Sequence, residues 1–219
     1  MGKLFLLLKK KIRNLLFLKT GFKNSQDYWN KRYIKGGNSG SGSYNHLAEF
    51  KADVINEFIL NHKIEDAIEF GCGDGNQLKY INYPKYVGFD VSKKAVEVCE
   101  EIFNGDDSKS FKLMKDYRNE QADLILSLEV IFHIVEDNIF NEYMKLLFSS
   151  SKKYVIIYSS NTNENTRGQP AHVKHRNVTQ WIVDNNICFN LIKQIDNKFP
   201  FDGSNNTSFS DFYIFRKNI

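Results

Sequence analysis

The chain has 219 residues, 42% of them hydrophobic, and a formal net charge of +4. That suits one domain of ordinary size with a full core and excludes global disorder. Much of the basic excess sits near the start, at Lys3, Lys9, Lys10, Lys11, Arg13 and Lys19, so the remainder is close to neutral and gives no electrostatic argument for a nucleic-acid partner.

No stretch reaches the roughly 20 apolar residues that span a bilayer. Leu4–Leu8 is too short for a secretory signal core and runs directly into three lysines. Residues 3–19 suit a basic amphipathic helix, with Leu4, Leu8, Leu15, Leu16 and Leu18 near one side. Such a helix lies on a membrane surface or partner, or packs on its own domain or a dimer mate. Residues 1–20 are therefore read as an appended helix and 21–219 as a single domain. Cys72, Cys99 and Cys188 lack C-x-x-C spacing, so neither a disulfide framework nor a metal site is implied, and a reducing, cytoplasmic setting fits, with contact at the inner membrane face through residues 3–19 left open.

Residues 21–61 read as a lead-in. Gln26–Tyr33 is aromatic and basic at helical spacing. Gly36–Ser43 is a glycine/serine loop, and Leu47, Phe50, Val54, Phe58 and Ile59 make a helical stripe over 46–61. From residue 62 strands and helices alternate. Ala67–Phe70 is a strand, then a short helix falls near 76–80. The strand Tyr86–Phe89 precedes a helix over 93–103 with Ser92 as N-cap. Ser110–Met114 and Ala122–Ser127 follow, the latter a continuous apolar run of the doubly buried kind. A helix over 137–148, a strand Tyr154–Tyr158, a polar loop 161–169 and a helix over 177–185 come next. Ile187–Ile195 and Phe209–Phe215 then read as strands with no helix between them. This order predicts an α/β doubly wound sheet, mostly parallel, with an antiparallel C-terminal pair.

The run Glu69-Phe70-Gly71-Cys72-Gly73-Asp74-Gly75-Asn76 is a strand opening into a ligand loop. Glycine lets backbone approach a ligand closely. Cys72 within it reads as a small apolar residue, not a nucleophile. Asp90 ends the next apolar run about 20 residues past Gly71, the place of an acid that takes ribose hydroxyls in nucleotide-binding βαβ units. Val91 can pack on a base, Asp116 can accept from an exocyclic amine, and Tyr117 can stack. Four strand ends, at Glu69, Asp90, Asp116 and Ser127-Leu128-Glu129, converge on one cleft. A dinucleotide loop needs a small residue where Asn76 stands, and Glu69 is poorly placed for phosphate. Both favour S-adenosylmethionine over a dinucleotide and disfavour an NAD-linked reductase.

Together E-F-G-C-G-D-G-N, V-G-F-D-V-S-K-K-A-V and D-L-I-L-S-L-E-V-I-F-H-I resemble class I S-adenosylmethionine-dependent methyltransferases over residues 65–135. The resemblance implies a seven-stranded sheet with its last strand inserted antiparallel. It puts Glu69, Gly71 and Gly73 at the methionine side of the cofactor, Asp90 at the ribose, Asp116 and Tyr117 beside the adenine, and Ser127 and Leu128 near the sulfonium. S-adenosylhomocysteine would be the product. The lead-in, with Y-W-N-K-R-Y and G-G-N-S-G-S-G-S, is similar to small bacterial methyltransferases of surface-polysaccharide and capsule biosynthesis. That likeness implies that Tyr28, Trp29 and Arg32 cover the cofactor, with Arg32 on its carboxylate.

Methyl transfer to a hydroxyl needs a base, and His133 after the fourth strand is the candidate; fixing a helix start is its other reading. His172, Lys174, His175 and Arg176 follow the polar loop after the fifth strand. Their charge suits an anionic or polyhydroxylated acceptor, with His172, His175 and Arg176 as its ligands. The leading expectation is an O-methyltransferase acting on a saccharide or phosphoramidate intermediate. An N-methyltransferase or a non-catalytic partner protein of the same fold are the alternatives. The N-P-P-Y/F motif of base-modifying enzymes is absent.

Overall fold

The computed structural model describes residues 22–218. The basic helix expected over residues 3–19 lies outside that range. Among the described residues five α-helices, α1 (Ser25–Ile34), α2 (Asn45–His62), α3 (Lys93–Ile102), α4 (Asp137–Ser149) and α5 (Val178–Asp184), surround seven strands. The strands are β1 (Ala67–Phe70), β2 (Tyr86–Asp90), β3 (Lys109–Leu113), β4 (Ala122–Leu128), β5 (Ser151–Ser159), β6 (Phe189–Ile195) and β7 (Asp211–Lys217). The helix expected near 76–80 is a single 3-10 turn, Gln77–Tyr80.

Local chemistry sets the helix starts. The Asn24 side chain accepts from the Asp27 N–H at 2.8 Å ahead of α1, and Asn177 caps α5 in the same way. Ser92 caps α3 as its sequence position predicted. The doubly buried run of β4 is buried at all seven positions. Its side chains divide between two cores: Leu124, Leu126 and Leu128 join Ile55, Phe58 and Ile59 of α2, while Ile125, and Ala122 before the register shift at 122–124, join Phe140, Met144 and Leu147 of α4. Each such aliphatic or aromatic burial contributes about 1.5–3 kcal/mol.

The sheet order is β3-β2-β1-β4-β5-β7-β6. Strands β1 to β5 pair in parallel, and β7 runs antiparallel between β5 and β6. The antiparallel pair is thus present, with β6 as the free edge. Chain order reverses between β1 and β4, which makes the crevice above their C-terminal ends the ligand position of such a sheet.

Candidate cofactor and acceptor site

At the end of β1 the chain turns sharply over residues 71–75. Gly71 and Gly73 have φ of 88° and 60°. A Cβ on Gly71 would lie 2.4 Å from Val130 Cγ2, and one on Gly73 would lie 2.3 Å from Ser39 Oγ. Glycine is therefore required at both positions, by conformation and by space. The Gly73 N–H donates to Asp90 Oδ2 at 3.0 Å, and the Ser92 N–H donates to Oδ1 at 2.8 Å. Burial pushes the Asp90 carboxyl up to about 6, against these N–H bonds, which favour its charge. Glu69, also buried, accepts from the Tyr86 hydroxyl at 2.7 Å. Burial pushes it up to about 7, opposed by the Tyr86 bond and the charge of Lys51.

These groups open onto a cavity of about 750 Å³. Of the residues expected to bind cofactor or act on the acceptor, Trp29, Glu69, Gly71, Gly73, Asp90, Val91, Leu128 and His133 line it. The cavity is large enough for a drug-sized ligand. A buried acceptor without a hydrogen-bond partner, Gln77 Oε1, belongs to a side chain on its wall. With the Asp90 carboxylate at one strand end and the Glu69 carboxylate at the next, the donor and acceptor set fits a ligand with ribose hydroxyls and an ammonium group.

Several expected residues fall elsewhere. Asp116 is exposed on the 3-10 turn Met114–Asp116, and Met114 from that turn reaches the cavity instead. The Tyr117 ring packs on Phe70 and Phe89 at 5.5 Å, and its hydroxyl bonds Ser150 and the Glu120 carbonyl, so it belongs to the second core. Ser127 was expected to offer only its backbone, and its side chain meets the Tyr143 hydroxyl at 2.9 Å. Arg176 donates to the Ile134 and Val135 carbonyls at 2.7 and 3.0 Å and to Asp137 at 2.8 Å. It clamps the turn before α4 and does not line the main cleft. His175 bonds Ser160 Oγ at 2.7 Å through Nδ1 and packs edge-on against Phe209. A basic run read as one ligand set is thus split three ways, because alternate loop residues point apart.

His172 alone of that run reaches a second, smaller cavity of about 330 Å³. Arg32, Asn38, Ser41 and Asn205 also line it, and it shares Trp29, Ser39 and His133 with the main cleft. Arg32 donates from Nε to the Asn38 carbonyl at 2.6 Å and from Nη1 to the Tyr28 hydroxyl at 3.4 Å. Its guanidinium thus sits at the second cavity, away from the main cleft where a cofactor carboxylate was expected to meet it. Tyr28 stacks on His172 at 4.1 Å and lines neither cavity.

His133 lies at the junction. Its Nδ1 is 3.1 Å from the His172 carbonyl, which only accepts, so Nδ1 carries the proton. In the neutral ring Nε2 then holds the lone pair. Burial drives its pKa down to about 3, against the His172 carbonyl bond, and burial and the Arg32 charge take His172 to about 4. Both rings are neutral at ordinary pH.

Sequence reasoning missed Ser39, Gln77 and above all Lys51 as residues of the main cleft. The Lys51 side chain is 1% exposed and pairs with Glu129 at 3.0 Å. It lies four residues after Leu47 and four before Ile55, both buried, so its place on the apolar stripe was the available signal. Glu129 itself has φ of 60°, an unfavoured conformation that marks the turn after β4.

A methyltransferase domain family matches residues 68–151. No curated protein matches the chain. Among solved structures, the N-methyltransferase NodS from Bradyrhizobium japonicum WM9, in complex with S-adenosyl-L-homocysteine, superposes with a TM-score of 0.69 at 12% identity, covering 89% of this chain and 99% of NodS. Magnesium protoporphyrin IX methyltransferase from Synechocystis PCC 6803, also with bound S-adenosylhomocysteine, gives 0.60 at 14% identity, covering 88% of this chain and 98% of that one. The (4+2)-cyclase SpnF gives 0.64 at 10% identity, covering 89% and 93%. At these identities the likeness is one of fold, and it is the Rossmann-like methyltransferase fold. Domain, fold and cleft together define a S-adenosylmethionine-dependent methyltransferase in the general sense. S-adenosylmethionine is its cofactor. Among the described residues no helix is long and apolar enough to cross a membrane, and no group of three or more His, Cys, Asp or Glu side chains could hold a metal ion.

Proposed function

We propose that the protein methylates an oxygen of a small polar or anionic acceptor, such as a saccharide or phosphoramidate intermediate of capsule or surface-polysaccharide biosynthesis. The observation that carries this reading is the second cavity. It adjoins the cofactor cleft through Trp29, Ser39 and His133, it holds the Arg32 guanidinium, and no carboxylate among the described residues lines it. A guanidinium unopposed by an acid favours an anionic group, and the Asn38 and Asn205 side chains suit hydroxyls.

S-adenosylmethionine supplies an electrophilic methyl group when bound. The chain's own contribution is positioning, worth about 7–11 kcal/mol where reacting atoms are held in line. Asp90 accepts the ribose hydroxyls and Glu69 faces the cationic amino-acid end, with Gly71, Gly73, Val91 and Leu128 as the walls. His133 holds Nε2 ready to accept the acceptor's hydroxyl proton, its ring fixed by the His172 carbonyl and the edge of Trp29 at 4.9 Å. The neutral ring leaves the Nε2 lone pair free, and the burial that keeps it neutral also makes it a weak base in the free protein.

Incubation with S-adenosylmethionine and a panel of sugar phosphates, phosphoramidates and neutral sugars, followed by product mass spectrometry, tests the reading. A gain of one methyl on an anionic member, with the methyl on oxygen, is expected. Methyl on nitrogen would replace the oxygen assignment, and turnover only with neutral apolar compounds would refute the acceptor class.

A further inference from the structure

The main cleft has an unbalanced lining. Glu69, Asp90, Glu129, Glu136 and Glu142 are on its wall, whereas Lys51 is the one lysine or arginine among its described lining residues. Lys51 is nearly fully buried, yet its only hydrogen bond among the described residues goes to Glu129 Oε2, and the Tyr158 ring lies 5.4 Å from Nζ. An ammonium carries three N–H donors. A buried one with a single oxygen partner is short of acceptors, and a buried charge left so is costly unless something else supplies them. The charge of Lys51 also reaches Glu69, the acid at the foot of the glycine loop.

We infer that Lys51 receives the carboxylate at the amino-acid end of the cofactor, the task its sequence context suggested for Arg32. The inference rests on S-adenosylmethionine being the ligand of the main cleft. A zwitterionic end then meets matched groups: its ammonium faces Glu69 and the orphaned Gln77 Oε1, and its carboxylate completes the shell of Lys51. Glu129 keeps its bond to Lys51 and its second bond, from Ser208 Oγ at 3.1 Å. Arg32 is left to the acceptor, where its hydrogen bonds already hold it.

The test is calorimetric and needs no acceptor. Dissociation constants are measured for S-adenosylmethionine and for decarboxylated S-adenosylmethionine, with wild type, Lys51→Met, and the double variant Lys51→Met/Glu129→Gln. The double variant leaves no unpaired buried carboxylate, so it keeps the test open if the single variant fails to fold. Wild type is expected to prefer the carboxylated compound by about 10-fold or more, the size of a charge-assisted hydrogen bond. Both Lys51 variants should bind the two compounds within about 2-fold of each other, losing affinity only for the carboxylated one, while Arg32→Gln keeps the wild-type ratio. Retention of the preference in the Lys51 variants, or its loss in Arg32→Gln, overturns the assignment. Wild type binding neither compound would instead remove the cofactor reading on which it stands.

Discussion

Ser39 and Asp74 clasp each other across 35 residues of chain. The Ser39 N–H donates to Asp74 Oδ2 at 2.9 Å, and the Asp74 N–H donates to Ser39 Oγ at 3.0 Å. Tyr44 adds its hydroxyl to the same carboxylate oxygen at 2.7 Å, and Tyr33 bonds Ser39 Oγ at 2.9 Å. The glycine/serine loop is thereby fastened onto the cofactor loop and is part of the site, where its composition alone also suited a flexible linker.

Replacing Asp74 with Ala removes the acceptor for three donors, the Ser39 and Asn76 N–H groups and the Tyr44 hydroxyl, and frees the lead-in. Cofactor affinity should weaken by about 1.5–3 kcal/mol, the range for hydrogen bonds to a charged group. Amide exchange across residues 36–44 should quicken in parallel. Calorimetry with S-adenosylhomocysteine and hydrogen exchange check it, and unchanged exchange would mean that the clasp does not hold the loop.

Gly42 abuts the other side of the same loop. A Cβ there would lie 1.9 Å from Glu129 Oε2, and that carboxylate is pinned by Lys51 and Ser208. Gly42→Ala should cost about 1–3 kcal/mol of stability, the range for overpacking, in a urea melt with unchanged slope. Gly36→Ala has open space but a φ of 76°, so its cost should come from strain alone, about 1 kcal/mol.

Asp90 carries a pH prediction. Ionised, it accepts from ribose hydroxyls, so cofactor affinity should rise with pH through about 6. The free protein moves the opposite way. The folded pKa values of Asp90 and Glu69 are raised, so their contribution to stability is full below about 4 and is lost as pH rises through about 6 and 7. The gap in melting temperature between free and S-adenosylhomocysteine-bound protein should therefore widen from pH 5 to pH 8. Asp90→Asn should flatten that widening and weaken binding at pH 8 by about 1.5–3 kcal/mol. A gap that is constant with pH would refute the ribose role.

The sheet was legible because its central strands β1, β4 and β5 carry short apolar runs, and three of the five described helix starts, at Asn24, Ser92 and Asn177, carry a capping side chain. The glycine loop and Asp90 were legible because backbone geometry and strand ends admit few residue types. The acceptor side was not. Arg32, Asn38, His133, His172 and Asn205 come from four separate segments, and no period or spacing links them. The run from His172 to Arg176 misled because neighbouring residues in an extended loop point to different places: one to the second cavity, one to Ser160, one to the turn before α4. Lys51 was hidden for another reason. A lysine on a helix is ordinarily solvated, and its place on the apolar stripe between Leu47 and Ile55 was a weak sign beside its tertiary partners Glu129 and Tyr158.

His133 joins the two cavities, and its substitution separates geometry from binding. His133→Ala should lower turnover by about 10²-fold with an identified acceptor, while affinity for S-adenosylhomocysteine stays within about 2-fold. With a pKa near 3 in the free protein, His133 contributes no limb to the pH profile between 5 and 8, so wild-type and variant profiles should run parallel there. In stability the sign is that of a depressed base: the contribution is present above about 6.5 and lost as pH falls toward 3, so the variant should lose less stability on acidification than wild type. Wild-type turnover in the variant would leave His133 as a support for the loop at His172.

Arg176 is the sharpest contrast between sequence expectation and structure. Its guanidinium spans the Ile134 and Val135 carbonyls and the Asp137 carboxylate, and lies 4.2 Å from the Phe140 ring, so it fixes the approach to α4 from a residue about 40 positions later in the chain. Removing it leaves two carbonyls short of a donor and strips the stacking surface from Phe140. Arg176→Gln should therefore destabilise the fold by about 1–3 kcal/mol, the cost of unsatisfied buried groups, or roughly 2–12 °C in melting temperature for a chain of this size. Its KM for the acceptor should stay at the wild-type value at temperatures well below the transition, whereas Arg32→Gln should raise that KM about 10-fold or more with little change in melting temperature. The reverse pattern, with acceptor KM following Arg176 and stability following Arg32, would return the acceptor site to the loop that the sequence first suggested.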